Sequence, residues 1–413
     1  GARPRAIFMS PEDHLLALLQ RSLHDGPSDL IRLCLFDWAV CAIAGSEEPV
    51  VRILAQDSDM SFANTALVYG TMGHALDYDD THFDHIGHTS AVVMPAVLAA
   101  AQLAGIGGLD QVVAAALIGS EAAVRVGLWL GRDHYQIGFH QTATSGAIGA
   151  TVGCAHLLKL TAPQTRHAIG LAATGASGLR GQFGSMGKPL NAGLAARCAV
   201  EAAVWAQAGM TSDPQGVAQF GATHHGQAND SAWAADEPWK IARVNHKFHA
   251  CCHGLHAMLE ALQAAQGDVA GVIVETHPRW MSVCNKPAPE TGLAVKFSYA
   301  MTAAMALSGM STAAIGAFSG HTASDPALIA LRDKVTVRAD EHLSEMQARV
   351  AIVYADGRAE TLFHDLQTPL PMSERQARLR QKARAVLGAD LSEDLWTAVQ
   401  RDDCARLTGL LRV

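Results

Sequence analysis

Between His74 and His88 the sequence places four imidazoles (His74, His82, His85, His88) and four carboxylates (Asp77, Asp79, Asp80, Asp84) within fifteen residues. An uncharged run, Thr89–Leu109, follows directly. Ionisable groups beside apolar sequence are costly to bury unless each finds a partner. An imidazole titrates near neutral pH and burial pushes a carboxyl upward, so the stretch suits proton transfer on an acidic substrate. A solvated helix end carrying incidental histidines is the plainer alternative. His and Asp also bind divalent ions. However, the three-residue spacing of His82, His85 and His88 is not the HExxH pattern, and no metal ligand is assigned.

Three further clusters follow. Gly138-Phe139-His140-Gln141-Thr142 leads into a helix, whose free N–H groups and dipole favour an anion. From Gly178 to Gly187 a glycine recurs at every third position, which describes a loop whose backbone approaches something closely. Lys188, standing on that loop ahead of an Asn191–Gly209 helix, suits a carboxylate clamp. The order is neither GxxxxGK[ST] nor, with no strand before it, GxGxxG. A plain inter-helix loop is the alternative. The last cluster, Asn245–His256, carries Lys247, adjacent Cys251 and Cys252, and His256. Cys251 would be a nucleophile only if a base lowered its pKa; packing is the commoner use of adjacent cysteines. Lys247 and His256 suit an anionic ligand better.

Holding such residues in place takes a rigid frame. The 413 residues are 49% hydrophobic, 17% charged and only 6% aromatic, so small and aliphatic side chains dominate, as in closely packed helices. Disorder is excluded by the same figures. The net charge of −8 and a pI near 6.2 exclude the basic field of a nucleic-acid or anionic-membrane surface.

Helix signals run from residue 10 to 265. Ser10-Pro11-Glu12-Asp13 is a helix start, Thr161–Gln164 is a capping box, and Ser28–Ala44, Leu109–Leu130, Thr142–Leu160 and Asn191–Gly209 are apolar almost all round. Thr89–Leu109 is long enough to span a bilayer, but Pro95, Gln102 and the absence of basic flanks mark it as a buried helix. After Gln266 short β-branched segments read as strands: Val269–Glu275, Val335–Arg338, Ala348–Tyr354 and Ala359–Phe363, the last two joined by a turn at Ala355–Arg358. Helices are expected at Phe297–Leu307, Pro326–Asp333, Ser373–Leu387 and Leu391–Leu411. The expected architecture is mainly α, with a helical domain from residues 1–265 and 371–413 and a smaller α+β domain from 266–370. Eight cysteines without CxxC spacing read as the reduced thiols of a cytoplasmic protein. Gly1-Ala2-Arg3-Pro4, with neither initiator Met nor apolar leader core, reads as a trimmed end.

In order along the chain, these clusters resemble the motifs of the MmgE/PrpD family, whose members include 2-methylcitrate dehydratase, cis-aconitate decarboxylase and iminodisuccinate epimerase. Gly73–Thr81 resembles the family's AHALDYDDTH-like stretch and His88-Thr89-Ser90 its HPS element. Gly138–Thr142 resembles its GFHPT-like element, Gly184–Gly193 its GTMTKPLHAG-like loop, Lys247–His256 its K-x-Y-P-C-C-x-x-x-H element and Lys296-Phe297-Ser298 its KFS element. The resemblance implies a helical bundle domain built from both chain ends with an α+β lid inserted late. It also implies a homodimer, no metal or organic cofactor, and a small anionic polycarboxylate as the partner molecule.

Carried over residue by residue, the resemblance assigns Asp77, His88, His140, Lys188 and Lys247 to catalysis. Thr81, His85, Ser185, Met186, Asn191 and His256 are expected at the substrate. The chain departs from the pattern at Asn191 (for His), Gly187 (for Thr), Gln141 (for Pro) and His249-Ala250 (for an aromatic-Pro pair). The Asn191 exchange removes any acid–base role there. An extra residue between Thr81 and His88 makes His85 a second candidate for the His88 role.

The family's reactions share a carbanion-like centre beside a carboxylate. Preorganised cations lower that barrier, the role expected of Lys188 and Lys247. His140 or His88 is the expected base, and Asp77 would protonate a departing hydroxyl if burial raised its pKa. The expectation is a cofactor-independent dehydratase of a small hydroxy-polycarboxylate. Epimerisation or decarboxylation on the same scaffold is the alternative, and a metal-binding or inactive ligand-binding relative the other.

Overall fold

The computed structural model describes residues 9–24, 26–56, 61–224, 229–234 and 238–411; Gly1–Pro4 lies outside them. The chain divides into two compact units, residues 1–246 with 390–413 and residues 247–389.

The first unit is helical. Its elements are α1 (Pro11–Leu18), α2 (Ser28–Gly45), α3 (Pro49–Leu54), α4 (Phe62–His74), α5 (Ser90–Ala104), α6 (Leu109–Ile137), α7 (Gln141–Leu157), α8 (Ala162–Gly175) and α9 (Gly187–Gln207). Reciprocal capping boxes start α1 at Ser10 and α8 at Thr161, where the sequence predicts a helix start and a capping box respectively. Small residues let the helices that carry the polar clusters pack closely. A Cβ on Gly193 of α9 would fall 2.3 Å from the Leu67 carbonyl of α4, and one on Gly149 of α7 would fall 2.3 Å from the Ala123 nitrogen of α6. A side chain at either position would force the helix pair apart.

The Thr89–Leu109 run forms α5, buried from Ser90 to Ala101 and ended by left-handed Gly105. Among the described residues α6 is the helix long and apolar enough to cross a membrane, and 89% of its most apolar stretch is buried inside the fold. It continues past the expected end at Leu130, with a break at Gly131 (φ 74). In turn α9 begins at Gly187, before the expected Asn191, because the Ser185 hydroxyl accepts from Gly187 N–H at 3.1 Å and its carbonyl from Lys188 N–H at 3.2 Å. Lys188 therefore stands on the first helical turn and not on a loop.

The expected Leu391–Leu411 helix is two, Ala389–Gln400 and Cys404–Leu410, parted at Asp402, whose φ is 59. Trp396 meets Phe36 edge-on at 5.0 Å and Asp402 accepts from Asp110 N–H at 2.6 Å, which fixes this segment against α2 and α6.

The second unit holds a four-stranded sheet in the order β2-β1-β3-β4, made of β1 (Val269–Thr276), β2 (Val335–Ala339), β3 (Gln347–Tyr354) and β4 (Ala359–Asp365). The β1–β2 pair is parallel and the other two pairs are antiparallel. All four strands fall where β-branched sequence places them, and Gly357 (φ 88) makes the β3–β4 turn. Helix His256–Leu262 packs on β3 and β4 and Met372–Leu387 lies in the same unit. The division thus falls at 246/247 and 389/390, whereas the change in composition lies near 266 and 371.

Candidate active site

The polar cluster of the first unit is built where α4 ends. After His74 the chain turns through Asp77 in a left-handed conformation (φ 52), which sends Asp79 and Asp80 into the interior while Asp77 stays exposed. Thr81 then pairs with Asn245 through two backbone hydrogen bonds, each 2.7 Å. His88 arrives just before α5, its N–H donating to the Thr142 hydroxyl of α7 at 3.0 Å.

Asp79 joins two rings. His74 Nδ1 lies 3.1 and 3.0 Å from its two oxygens, and His88 Nδ1 lies 3.2 Å from Oδ2. Burial alone would raise the Asp79 carboxyl, but the two imidazoles more than offset it and hold it well below the usual carboxylate range. Its neighbour Asp80 behaves oppositely. It accepts from Ser90 N–H at 3.3 Å and from the Ser90 hydroxyl, yet burial, with Asp37 and Asp79 nearby, pushes it up to about 7.

Asp77 faces the open side of the cluster. Lys188 Nζ lies 2.8 Å from Asp77 Oδ1, His88 Nε2 lies 3.5 Å from the same oxygen, and the Phe183 ring sits 5.0 Å beneath the ammonium. His140 caps the start of α7. Its N–H donates to the Gly178 carbonyl at 2.9 Å and Arg180 N–H donates to the Gly138 carbonyl at 2.8 Å, so the two loops hold each other. The His140 ring lies 4.9 Å from Phe183 and 5.7 Å from His74, with Nδ1 3.2 Å from Asn191 Nδ2. Burial first, then the neighbouring His74 and Lys188, keeps His140 well below the usual imidazole range; burial also lowers His88.

Asp77, His88, His140, Lys188 and Asn191 thus come together. Asp77 lacks the burial that a proton-donating role presumes; its side chain is 50% exposed and paired to Lys188. His85 is fully buried, pinned at 2.7 Å to the Ser145 hydroxyl, and burial drives its pKa down to about 3. His82 is engaged at 2.8 Å by the Lys240 carbonyl. These two rings therefore have structural partners, and His82, His85 and His88 do not converge as ligands. Ser185 and Met186 are exposed, the Ser185 hydroxyl donating to the Gln182 carbonyl at 2.8 Å. Asn191 also borders an open, largely apolar cavity with Leu171, Leu194 and Trp205.

Among the described residues, the groups whose geometry could hold a metal are His74, Asp77, Asp79 and His88, and separately Cys34, Asp80 and His246; within each set the ligand atoms lie within 4.8 Å of one another. In the first set an ion would compete with Lys188 for Asp77. Sequence alone assigns no individual role to His74, Asp79 and Phe183, which the structure places in the cluster. The signal for Asp79 was a carboxylate flanked along the chain by two histidines and running into an uncharged helix.

Lys247 and His256 belong to the second unit, both buried. His256 Nε2 lies 3.2 Å from the Cys251 carbonyl. Burial, together with nearby His253, keeps the His256 ring well below its usual range. Burial also pushes the Cys251 thiol up, the opposite of what an activated nucleophile needs. His249 is held by the Thr312 hydroxyl at 2.6 Å and by Glu260 at 2.9 Å, a structural role.

Among curated proteins, the chain is 26% identical over 298 residues to a cis-aconitate decarboxylase-like protein of Aspergillus oryzae, covering 62% of this chain and 59% of that protein. It is 27% identical over 282 residues to a cis-aconitate decarboxylase of Aspergillus terreus, covering 59% of this chain and 57% of the relative. It is also 24% identical over 389 residues to the mouse cis-aconitate decarboxylase, covering 84% and 78%. The matches to the two fungal proteins thus span less than two thirds of their length. The MmgE/PrpD N-terminal domain matches residues 21–222 and the MmgE/PrpD C-terminal domain residues 246–401. With both domains present in order over most of its length, the chain belongs to the MmgE/PrpD family.

Proposed function

We propose that this protein is a cofactor-independent lyase of a small polycarboxylate, and that decarboxylation of a cis-aconitate-like acid is the reaction to test first. The observation that carries the reading is the chain of contacts Lys188–Asp77–His88–Asp79, in which an ammonium and a carboxylate-backed imidazole share one open face. The relatives' names add support for decarboxylation. Dehydration was the reaction expected from sequence, and it has less support: it needs a proton donor for the departing hydroxyl, and Asp77 is exposed and already paired.

In the proposed step the C–C bond to one carboxylate breaks and CO2 leaves. The electron pair stays on carbon, delocalised into a neighbouring carboxylate. Lys188 offsets the growing negative charge, the kind of term that is often the largest in catalysis. His88 delivers a proton from Nε2 to carbon, and Asp79 at Nδ1 stabilises the imidazolium that precedes the transfer. A homodimer belongs to the same proposal, supported by the exposed apolar side chains of Leu179, Phe183, Met186, Leu194 and Trp205 on and before α9; light scattering reads it.

Proton NMR of cis-aconitate and related tri- and dicarboxylic acids in D2O tests the reading. Loss of one carboxylate with deuterium at the former carbanion centre is expected. Deuterium exchange with inversion and no loss of mass would replace it with epimerase chemistry, and water loss with dehydratase chemistry. No change in any acid would sink it.

A further inference from the structure

We infer that Asn191 sets the tautomer of His140, so that His140 meets the bound carboxylate as an N–H donor at Nε2 and not as a base. The ligand's identity rests on the function proposed above; the tautomer does not.

The inference follows from what an amide can offer. Asn191 Nδ2 lies 3.2 Å from the Leu179 carbonyl oxygen and 3.2 Å from His140 Nδ1. A carbonyl oxygen only accepts. Turning the amide over would set Asn191 Oδ1 against the Leu179 oxygen, so Leu179 fixes the NH2 group in place. With both amide protons donated, the second needs an acceptor, and His140 Nδ1 must present its lone pair. A neutral ring whose Nδ1 accepts carries its proton on Nε2.

The scaffold holds this geometry firmly. Leu179 is bridged to Phe139, His140 N–H donates to the Gly178 carbonyl, and Asn191 lies in the buried second turn of α9. The charged and titratable groups facing His140 are His74 at the end of α4, Asp77 and His88 on the segment that follows, and Lys188 on α9. Burial and the surrounding positive charge favour the neutral ring. A neutral imidazole does not give its Nε2 proton away; it hydrogen-bonds the negative charge that develops on a substrate oxygen.

This divides labour between two rings that look equivalent in sequence. His88 sets Nδ1 3.2 Å from Asp79 Oδ2 and Nε2 3.5 Å from Asp77 Oδ1, so both of its ring nitrogens face carboxylates. His140 turns Nδ1 to a donor and is left with the opposite edge. Asn191 is therefore a positioning residue acting through His140.

The test has two arms on the full-length protein. In the first, 15N-histidine NMR reads the His140 ring, assigned by its loss in His140→Gln. The Nε2–H tautomer is expected in the unaltered protein, with Nδ1–H appearing in Asn191→Ala and dominating in Asn191→Asp, whose carboxylate can only accept. An Nδ1–H ring in the unaltered protein, or a tautomer unmoved in every folded Asn191 variant, overturns the inference. In the second, kcat is compared between His140→Gln, which keeps a donor, and His140→Glu, which keeps a base. Removing a preorganised donor costs roughly 10²–10³-fold, so the Gln variant should retain at least about tenfold more activity than the Glu variant. The reverse order would overturn the donor role. If none of the acids is turned over, the function proposed above fails while the NMR arm still decides the tautomer.

Discussion

The Lys188 ammonium lies 2.8 Å from the Asp77 carboxylate, with the Lys188 side chain 17% exposed and that of Asp77 50% exposed. The pair is open enough that an incoming carboxylate can take the place of Asp77 at Lys188. Exposed ion pairs contribute only about 0–1 kcal/mol, so Lys188→Ala should leave the fold intact. Loss of a cation at the developing charge should lower kcat/KM by roughly 10²-fold or more. Steady-state kinetics beside a thermal melt checks both halves. Unchanged kinetics in the folded variant would remove Lys188 from the mechanism.

Asp79→Asn should be costly to fold stability as well as to turnover. A buried hydrogen bond to a charged group contributes about 1.5–3 kcal/mol, and the His74 and His88 rings both face the Asp79 carboxylate. The sign with pH follows from the lowered carboxyl. Its stabilisation is complete above the unfolded pKa near 4 and is lost as pH falls below it. Urea midpoints of the two proteins should therefore begin to approach each other as pH falls below about 4.

Asp80→Asn should show the opposite sign. A folded pKa pushed up to about 7 from 3.8 means the folded state binds more protons between those values. Stability contributed by Asp80 therefore falls as pH rises from about 4 to 7 and levels off above. Asparagine cannot titrate, so the stability of the unaltered protein relative to Asp80→Asn should decline across that window, by at most about 4 kcal/mol. Urea titrations at half-unit pH intervals read this. A difference independent of pH would mean that Asp80 is ionised throughout.

Periodicity and capping made most of the fold legible: the helix starts at Ser10 and Thr161, the four strands and the buried run after His88 stand where the sequence places them. What was not legible depended on single backbone turns. Four carboxylates lie between His74 and His88, and spacing cannot rank them. The left-handed turn at Asp77 decides that Asp79 and Asp80 face inward and Asp77 outward, which reverses the burial assumed for Asp77. The early start of α9 moves Lys188 from loop to helix for a similarly local reason, the Ser185 contacts. His85 was a rival to His88 on spacing alone. Only the tertiary partner, Ser145, sixty residues away in sequence, separates them.

That separation gives a last prediction. Gly127 of α6 leaves room for the His85 ring: a Cβ there would fall 2.1 Å from His85 Cδ2 and 3.1 Å from Gln141 Nε2. The ring cannot swing away without losing Ser145, and Gln141 is itself tied to the Gly127 carbonyl at 2.6 Å. Gly127→Ala should therefore destabilise by about 1–3 kcal/mol through overpacking, although alanine is the better helix former. His85→Ala should be destabilising alone, from the cavity it leaves. Combined with Gly127→Ala it should cost less than the sum, because the new methyl occupies part of that cavity. A double-mutant cycle by urea denaturation checks this coupling. Strict additivity would mean that the two positions relax independently, and that the new methyl does not enter the space of the His85 ring.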